Sequence, residues 1–440
     1  MTQLRNTLGL GLLSVTLGLA ALPARAQDQT VPGAGNATAI TLSNKSPMVQ
    51  SAKQFLLNNI NRIDDASIRA ITLDAIANPT TCVAHRANLT QSDKNAILQA
   101  LSAAGLVDIR DNSTFPGGLS AGVFPPLLGD GGACPQLPQT FFSAPGSFFG
   151  GHHSYPGGLP VHESFNDVSN QNLAQGYRKV YGHTGTQGFP VIASDDNNPN
   201  ESAGMPGTFH LSQNVTIAAP VWHDWAKAMV FQWNSDGSEF LELNFGGNGQ
   251  TDNFGATGNS KTGAHHMLSA AEAMKRGLPA DLVIAQVSAH SHTIPDNEYK
   301  VVNWLRTAAI IAQIDPVAQG YLSRDAQGRL RLPPVRHLGE INLNAASPSQ
   351  TNLLAEYPLH AISDADSTLT EPAVTIDQVI LRTLAPEFGF DANQAATYNN
   401  GFRNPVFSFL TAERILIIYG NSGLDGVRAE LNNLRKGGII

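Results

Sequence analysis

The sequence predicts a mainly α-helical fold with a small β-hairpin insertion, and three observations predict it. Apolar residues recur at helical spacing in successive stretches, first Val49, Phe55, Leu56, Ile60 and Ile63, then Ile68, Ile71, Leu73 and Ile76. Strand-like segments are few, the clearest being a pair around Asn234-Ser235-Asp236-Gly237. Ten of the 13 histidines lie between His152 and His292, mostly on predicted helices or at their ends, where a bundle builds an internal metal site.

The chain has 440 residues, 42% hydrophobic and 14% charged, enough for a large core. Gly 41 and Pro 26 imply many turns and long loops. The net charge of −8, with no basic block, gives no expectation of a stable nucleic acid partner.

In chain order, residues 1–26 carry the marks of a secretory signal peptide. Arg5 precedes an apolar run from Leu8 to Leu22, and Ala24-Arg25-Ala26 is an A-x-A cleavage site. The expectation is a periplasmic or secreted mature chain without a membrane span, since no later apolar run approaches about 18 residues. Residues 27–45, small and polar, read as a flexible tether. Residues 46–149 form a helical and loop-rich N-terminal extension. Cys82 and Cys134 are the only cysteines, and in an oxidising compartment they most simply form one disulfide. Gly118-Leu119-Ser120-Ala121-Gly122 matches the G-x-S-x-G pattern formally, but a Pro-Gly-Gly turn stands where that elbow needs a strand.

Residues 150–325 hold the chemistry. A helix runs from Gly158 to about Val180 and carries His162. The polar loop 183–215 has an acidic tip, Asp195 to Glu201, that lacks EF-hand spacing and reads as solvated. Helix resumes from Ile217 to Met229. The hairpin segments are Val230 to Trp233 and Phe240 to Phe245. The loop ending in Lys261-Thr262 lacks the glycine before its lysine and the buried strand of a P-loop. Three more helices follow, Thr262 to Arg276, Ala280 to His290 and Glu298 to Ile314. Residues 326–440 are a C-terminal extension, with a strand expected at Gly339 to Leu343 and helices near Ile376 to Leu384 and Phe407 to Tyr419. No chemistry-bearing cluster is evident in it.

The chain is organised around Val221-Trp222-His223-Asp224-Trp225-Ala226-Lys227, which reads as helix. Adjacent helical residues diverge by about 100°, so His223 and Asp224 meet only at a point between their directions. A metal ion is such a point, because imidazole and carboxylate both bind it.

Five motifs in order resemble those of the HD-domain metal-dependent phosphohydrolase superfamily. They are His152-His153-x-x-x-Gly157-Gly158-Leu159-x-x-His162, then His223-Asp224-Trp225-Ala226-Lys227, then His266-Met267-Leu268-Ser269-Ala270-Ala271, then Ser288-Ala289-His290-Ser291-His292, then the late helix ending Ile314-Asp315-Pro316. The resemblance covers residues 150–325 and departs from the family's pattern in two insertions, 183–215 and 232–261. It implies an HD-type helical bundle with helical extensions on both sides. It also implies that His162, His223 and Asp315 hold one metal, that His266 and His290 hold a second, and that Asp224 bridges both. The register favours His266 over His265 and His290 over His292. Asp224 and Lys227 would be catalytic, and His152, His153, Lys227 and His292 would meet the substrate.

Such a ligand set suits two divalent or redox-active ions, iron, manganese or zinc. The function implied is hydrolysis of a small-molecule phosphomonoester or phosphodiester by metal-activated water at a dinuclear His/Asp site. Two alternatives stay open, a di-iron oxygenase of the same superfamily and a non-catalytic metal-binding envelope protein. Lysine or arginine converging on the metals would favour the hydrolase, and a sequestering pocket with substrate-chelating geometry the oxygenase.

Overall fold

Helices build most of the regular structure in the residues that the computed structural model describes, namely 33–181, 211–239, 241–249, 258–291, 293, 297–333 and 354–440. The expected signal peptide, most of the 183–215 loop, the strand at 339–343 and His292 lie outside these residues.

The N-terminal helices are α1 (Asn36–Lys45), α2 (Pro47–Ile60), α3 (Ala66–Ala77) and α4 (Gln91–Ala103), followed by the short α5 (Asp111–Thr114) and α6 (Gly118–Val123). Local chemistry sets their starts. Ser46 accepts from the Val49 amide while Pro47, which has no N–H to satisfy, opens α2. Asp65 caps α3, and Thr90 and Asp93 form a reciprocal capping box on α4. The expected tether 27–45 is corrected from residue 36 onward, since α1 is helical. Tertiary bonds hold it rather than an apolar period: Asn36 Nδ2 donates to the Pro138 carbonyl at 3.0 Å, and Asn36 Oδ1 accepts from the Trp233 amide at 2.9 Å.

The centre consists of α7 (Gly158–Tyr181), α8 (Gln213–His223), the single-turn α9 (Lys227–Val230), α10 (Ala264–Lys275), α11 (Ala280–Val287) and α12 (Glu298–Ala312). Here α7 packs on α2 and α8, α8 on α11, and α10 on α12. Their contact faces are buried, with Trp222, Trp225, Met267, Leu282 and Leu305 in one continuous core. A further helix, α13 (Glu356–Ser363), lies across α7 and α11.

The chain closes with α14 (Ser367–Leu384), α15 (Ala395–Tyr398), α16 (Asn404–Leu410) and α17 (Ala412–Lys436), the last broken at Gly423. These share a second core in which Tyr155 stacks on Phe407 with ring centres 6.1 Å apart. No helix among the described residues is long and apolar enough to cross a membrane.

Strand content is small, as expected, but one pairing differs. β1 (Asn244–Phe245) runs antiparallel to β2 (Thr262–Gly263), with Asn244 opposite Gly263. The predicted partner segment, 230–233, is buried at every position, and among the described residues it joins β1's side of the turn through a single Trp233–Glu239 bridge. A second pair, β3 (Ser323–Arg324) and β4 (Leu330–Arg331), lies beyond α12. Cys82 and Cys134 are joined in a disulfide that ties the segment after α3 to the loop before residue 140. Beside it the Val83 amide donates to the Pro135 carbonyl at 2.7 Å.

Candidate metal centre

Helix α8 is interrupted just where the chemistry begins. Pro220 has no N–H, so the Thr216 carbonyl loses its helical partner, and Asn170 on α7 donates to it at 2.8 Å. The Pro220 carbonyl in turn accepts from His223 Nδ1 at 2.7 Å, leaving Nε2 for the cleft. Asp224 departs from helical geometry at φ −108° and ψ 5°, and its carbonyl accepts from the Lys227 amide at 2.8 Å. The expected continuous helix is therefore two helices with a tight turn between them. That turn brings the neighbouring side chains together, with His223 Nε2 3.3 Å from Asp224 Oδ2.

Two more residues join this point. His162 on α7 places Nε2 3.2 Å from Asp224 Oδ2 and 3.2 Å from Asp364 Oδ1. Asp364, which caps α13, also lies 3.4 Å from His223 Nε2. Metal–ligand bonds of about 2.0–2.2 Å separate neighbouring donor atoms by about 3.0–3.5 Å in octahedral or tetrahedral arrangements. The four contacts of His162 and His223 with Asp224 and Asp364 have the spacing of edges of a coordination shell, and Glu163 also brings an oxygen to within 4.8 Å of donor atoms of His162, His223 and Asp224.

The other Asp224 oxygen faces a second group. Oδ1 lies 3.1 Å from His265 Nε2, and Asp224, His265 and His290 each bring a donor atom to within 4.8 Å of the others. His265 is held by Glu242, which accepts from its Nδ1 at 2.5 Å and from its amide at 3.1 Å. His290 Nδ1 is 2.7 Å from Thr262 Oγ1. Asp366 Oδ1 likewise lies 2.9 Å from His162 Nδ1. These outer partners fix ring orientation as they do for histidines that bind metals.

Both groups pass a test of fit. Among the described residues, His223 Nε2, His265 Nε2 and Asp224 Oδ1 are buried without a hydrogen bond of proper geometry, although each has polar atoms within 3.4 Å, whereas Asp224 Oδ2 pairs with Lys227. Buried polar atoms are rarely left so. Imidazole and carboxylate donors without thiolate suit iron, manganese or zinc.

The charges are mutually dependent. Burial pushes the Asp224 carboxyl up, but His223, Lys227 and His265 outweigh it and hold it well below the usual range. Asp364 is held down in the same way, by His223 and His162 against burial. Burial lowers His162, His223 and His265, but the surrounding carboxylates raise all three above the ordinary histidine value. The Lys227 ammonium pairs with Asp224 and donates to the Gly146 carbonyl. Glu163, 3.5 Å from His223 Nδ1 and without a hydrogen-bond partner among the described residues, is pushed up to about 8 by burial against the pull of His223.

The structure thus gathers His162, His223, Asp224, Lys227 and His290 into one place, as the sequence pattern implies. His152 and Lys227 line the same cavity, which has a volume of about 540 Å³. Other expected residues stand elsewhere. Asp315 is exposed because α12 ends at Ala312 and Gln313 turns the chain with φ +53°. Its carboxylate then caps the amides of Val317 and Ala318. His266 is turned away from Asp224, with Nε2 3.0 Å from the Val287 carbonyl and its ring stacked on His290 at 4.2 Å. His153 is not among the residues lining the cavity but stays close to it: it is buried 3.4 Å from Glu413 and 3.8 Å from Asp366, and with His152, His162 and Asp366 it brings a donor atom to within 4.8 Å of the others.

Residues 326–440, in which no such cluster is evident from sequence, contribute side chains to this one. They supply Asp364, Asp366 and His360, whose ring centre is 5.0 Å from that of His223. The signal available for them was His360 and Asp364 four apart on one helical face. Nothing in the sequence marked Glu242. No protein-family profile matches the chain, and neither a curated protein nor a solved structure is significantly similar to it.

Proposed function

We propose that this protein is an exported, HD-type metal-dependent hydrolase of small-molecule phosphoesters. The observation that carries the reading is Asp224, whose two oxygens face two separate donor groups, His162 with His223 and Asp364 on one side and His265 with His290 on the other. His162, His223, Asp224 and Asp364 would hold one ion, and Asp224, His265 and His290 the other. Bound there, two ions supply Lewis acidity, which activates water and neutralises phosphoryl charge.

The chain's own residues do the rest. Asp366, Glu242 and the Pro220 carbonyl orient His162, His265 and His223. Lys227, held by Asp224, offers an ammonium donor to a phosphate oxygen entering the cleft. His152, on the cleft wall 4.8 Å from the His162 ring, stands where a leaving group would depart. The disulfide suits the oxidising compartment that export implies.

A second reading, the di-iron oxygenase, has one observation in its favour. Among the described residues lining the cavity, Lys227 is the one lysine or arginine. Metal analysis of the purified chain, with turnover of aryl phosphate mono- and diesters and oxygen uptake, separates the two. Two equivalents of metal and phosphoester turnover without oxygen uptake are expected. Absence of bound metal overturns both readings, and oxygen consumption without phosphoester turnover selects the oxygenase.

A further inference from the structure

The cleft that holds these donors has an apolar mouth. Phe148 is 49% exposed and Leu241 58% exposed, yet both line the same cavity as His162, Asp224 and His265. Phe231 lines it from inside, its ring centre 6.0 Å from that of His265. Single exposed apolar side chains are ordinary. Two on one cavity, with the buried Phe231 behind them and a charged donor cluster beside them, are the arrangement of a site that takes an amphipathic ligand.

The segments carrying the mouth residues are anchored. Phe149 lies over the buried Arg403 guanidinium at 4.1 Å, and Arg403 donates to the Ser154 carbonyl at 2.9 Å, so Phe148 is presented from a pinned loop. Leu241 precedes Glu242, which is bonded to the His265 side chain and amide. The one lysine or arginine among the described lining residues, Lys227, already pairs with Asp224. Ser147, Asn244, Thr262 and Ser367 line the cavity too, but a ligand polar along its whole length would set part of itself against Phe148, Phe231 and Leu241 and lose hydration there.

We infer that the substrate is a phosphoester whose organic group is an apolar alkyl or aryl chain, with Phe148, Leu241 and Phe231 as its specificity-determining contacts. The inference rests on the phosphohydrolase reading. Each methylene buried against this wall strengthens binding by roughly three- to fourfold.

The test is calorimetric binding to the metal-loaded full chain of decylphosphonate, kept below its micelle-forming concentration, against methylphosphonate. Decylphosphonate should bind at least about tenfold more tightly. The double variant Phe148→Ser/Leu241→Asn should cut that ratio to about threefold or less and leave methylphosphonate affinity unchanged. Both side chains are half-exposed, so circular dichroism and metal content should match the parent protein. Equal affinity for the two phosphonates, or a ratio unchanged in the double variant, overturns the inference. If methylphosphonate binds and aryl phosphates turn over in that case, the hydrolase reading stands without it. Failure of both phosphonates to bind, with no phosphoester turnover, rejects both.

Discussion

Asp224 Oδ1 lies 3.1 Å from His265 Nε2, on the far side of the carboxylate from His162, which is 3.2 Å from Oδ2. One buried carboxylate is therefore common to both donor groups, whereas each histidine serves one. Asp224→Ala is expected to abolish binding of both metals, and His265→Ala to lower the content from two equivalents to about one. His266→Ala, which removes a ring stacked behind His290, should keep both ions. Elemental analysis of the three variants reads this directly. Equal loss in His265→Ala and His266→Ala would sink the assignment of His265.

Asp364 and Asp315 offer a second contrast. Asp364 lies 3.2 Å from His162 Nε2, while Asp315 is exposed and caps its own turn. Asp364→Ala should lower kcat/KM by on the order of a hundredfold or more, a loss of about 2.7 kcal/mol in transition-state stabilisation. Asp315→Ala should stay within about twofold and lower stability only slightly, as a lost cap on an exposed turn. Steady-state kinetics beside urea melts decide it, and the reverse order would restore Asp315 to the site.

The contrast also shows where sequence stops being informative. Helical period and capping residues are local, so α2, α3, α4, α7 and α10 to α12 were legible to within a few residues. His162, His223 and Asp224 were legible because their motifs surround them. The closing aspartate was not, because α13 reaches the site only by packing across α7 and α11, and no local pattern encodes that crossing. The choice between His265 and His266 turns on which neighbour Glu242 holds, a contact 23 residues away in sequence. The Thr216 carbonyl that Pro220 leaves free is satisfied by Asn170, 46 residues earlier in the chain, which no local pattern encodes either.

Metal binding should release protons. The folded chain holds His162, His223 and His265 above the ordinary histidine value, where their carboxylate neighbours favour the protonated ring, and a ligating ring must be neutral. Affinity for zinc or manganese should therefore rise with pH up to the elevated histidine range and level off above it, by up to about tenfold per pH unit for each proton displaced. Calorimetry in buffers of different ionisation heat counts the protons. A pH-independent affinity with no proton release would contradict the protonated cluster.

The Cys82–Cys134 disulfide closes a long loop, with a sequence separation of 52 residues. Loop-closure entropy for such a span gives about 4 kcal/mol of stabilisation as an upper range, with about 2–4 kcal/mol usual. Cys82→Ser/Cys134→Ser should lower the urea midpoint accordingly, and a reducing agent should do the same to the parent protein but not to the variant. Unchanged melting in both cases would mean that the cross-link constrains little in the unfolded chain.

Glu239 makes a final prediction, away from the metal centre. Its side chain is buried, no other described residue hydrogen-bonds its carboxyl oxygens, and burial pushes it up to about 8 against the attraction of Arg403 and its own backbone amide. Between an unfolded value of about 4.3 and this folded one, the native state keeps a proton that the unfolded state releases. The group's contribution to stability is thus largest below about pH 4.3 and declines as pH rises toward about 8, by up to about 1.4 kcal/mol per pH unit, then levels off. Glu239→Gln, which cannot ionise, should flatten that decline. Urea melts of parent and variant between about pH 5 and 8 give the comparison, and parallel slopes in the two proteins would show that the carboxyl ionises as freely in the fold as in the open chain.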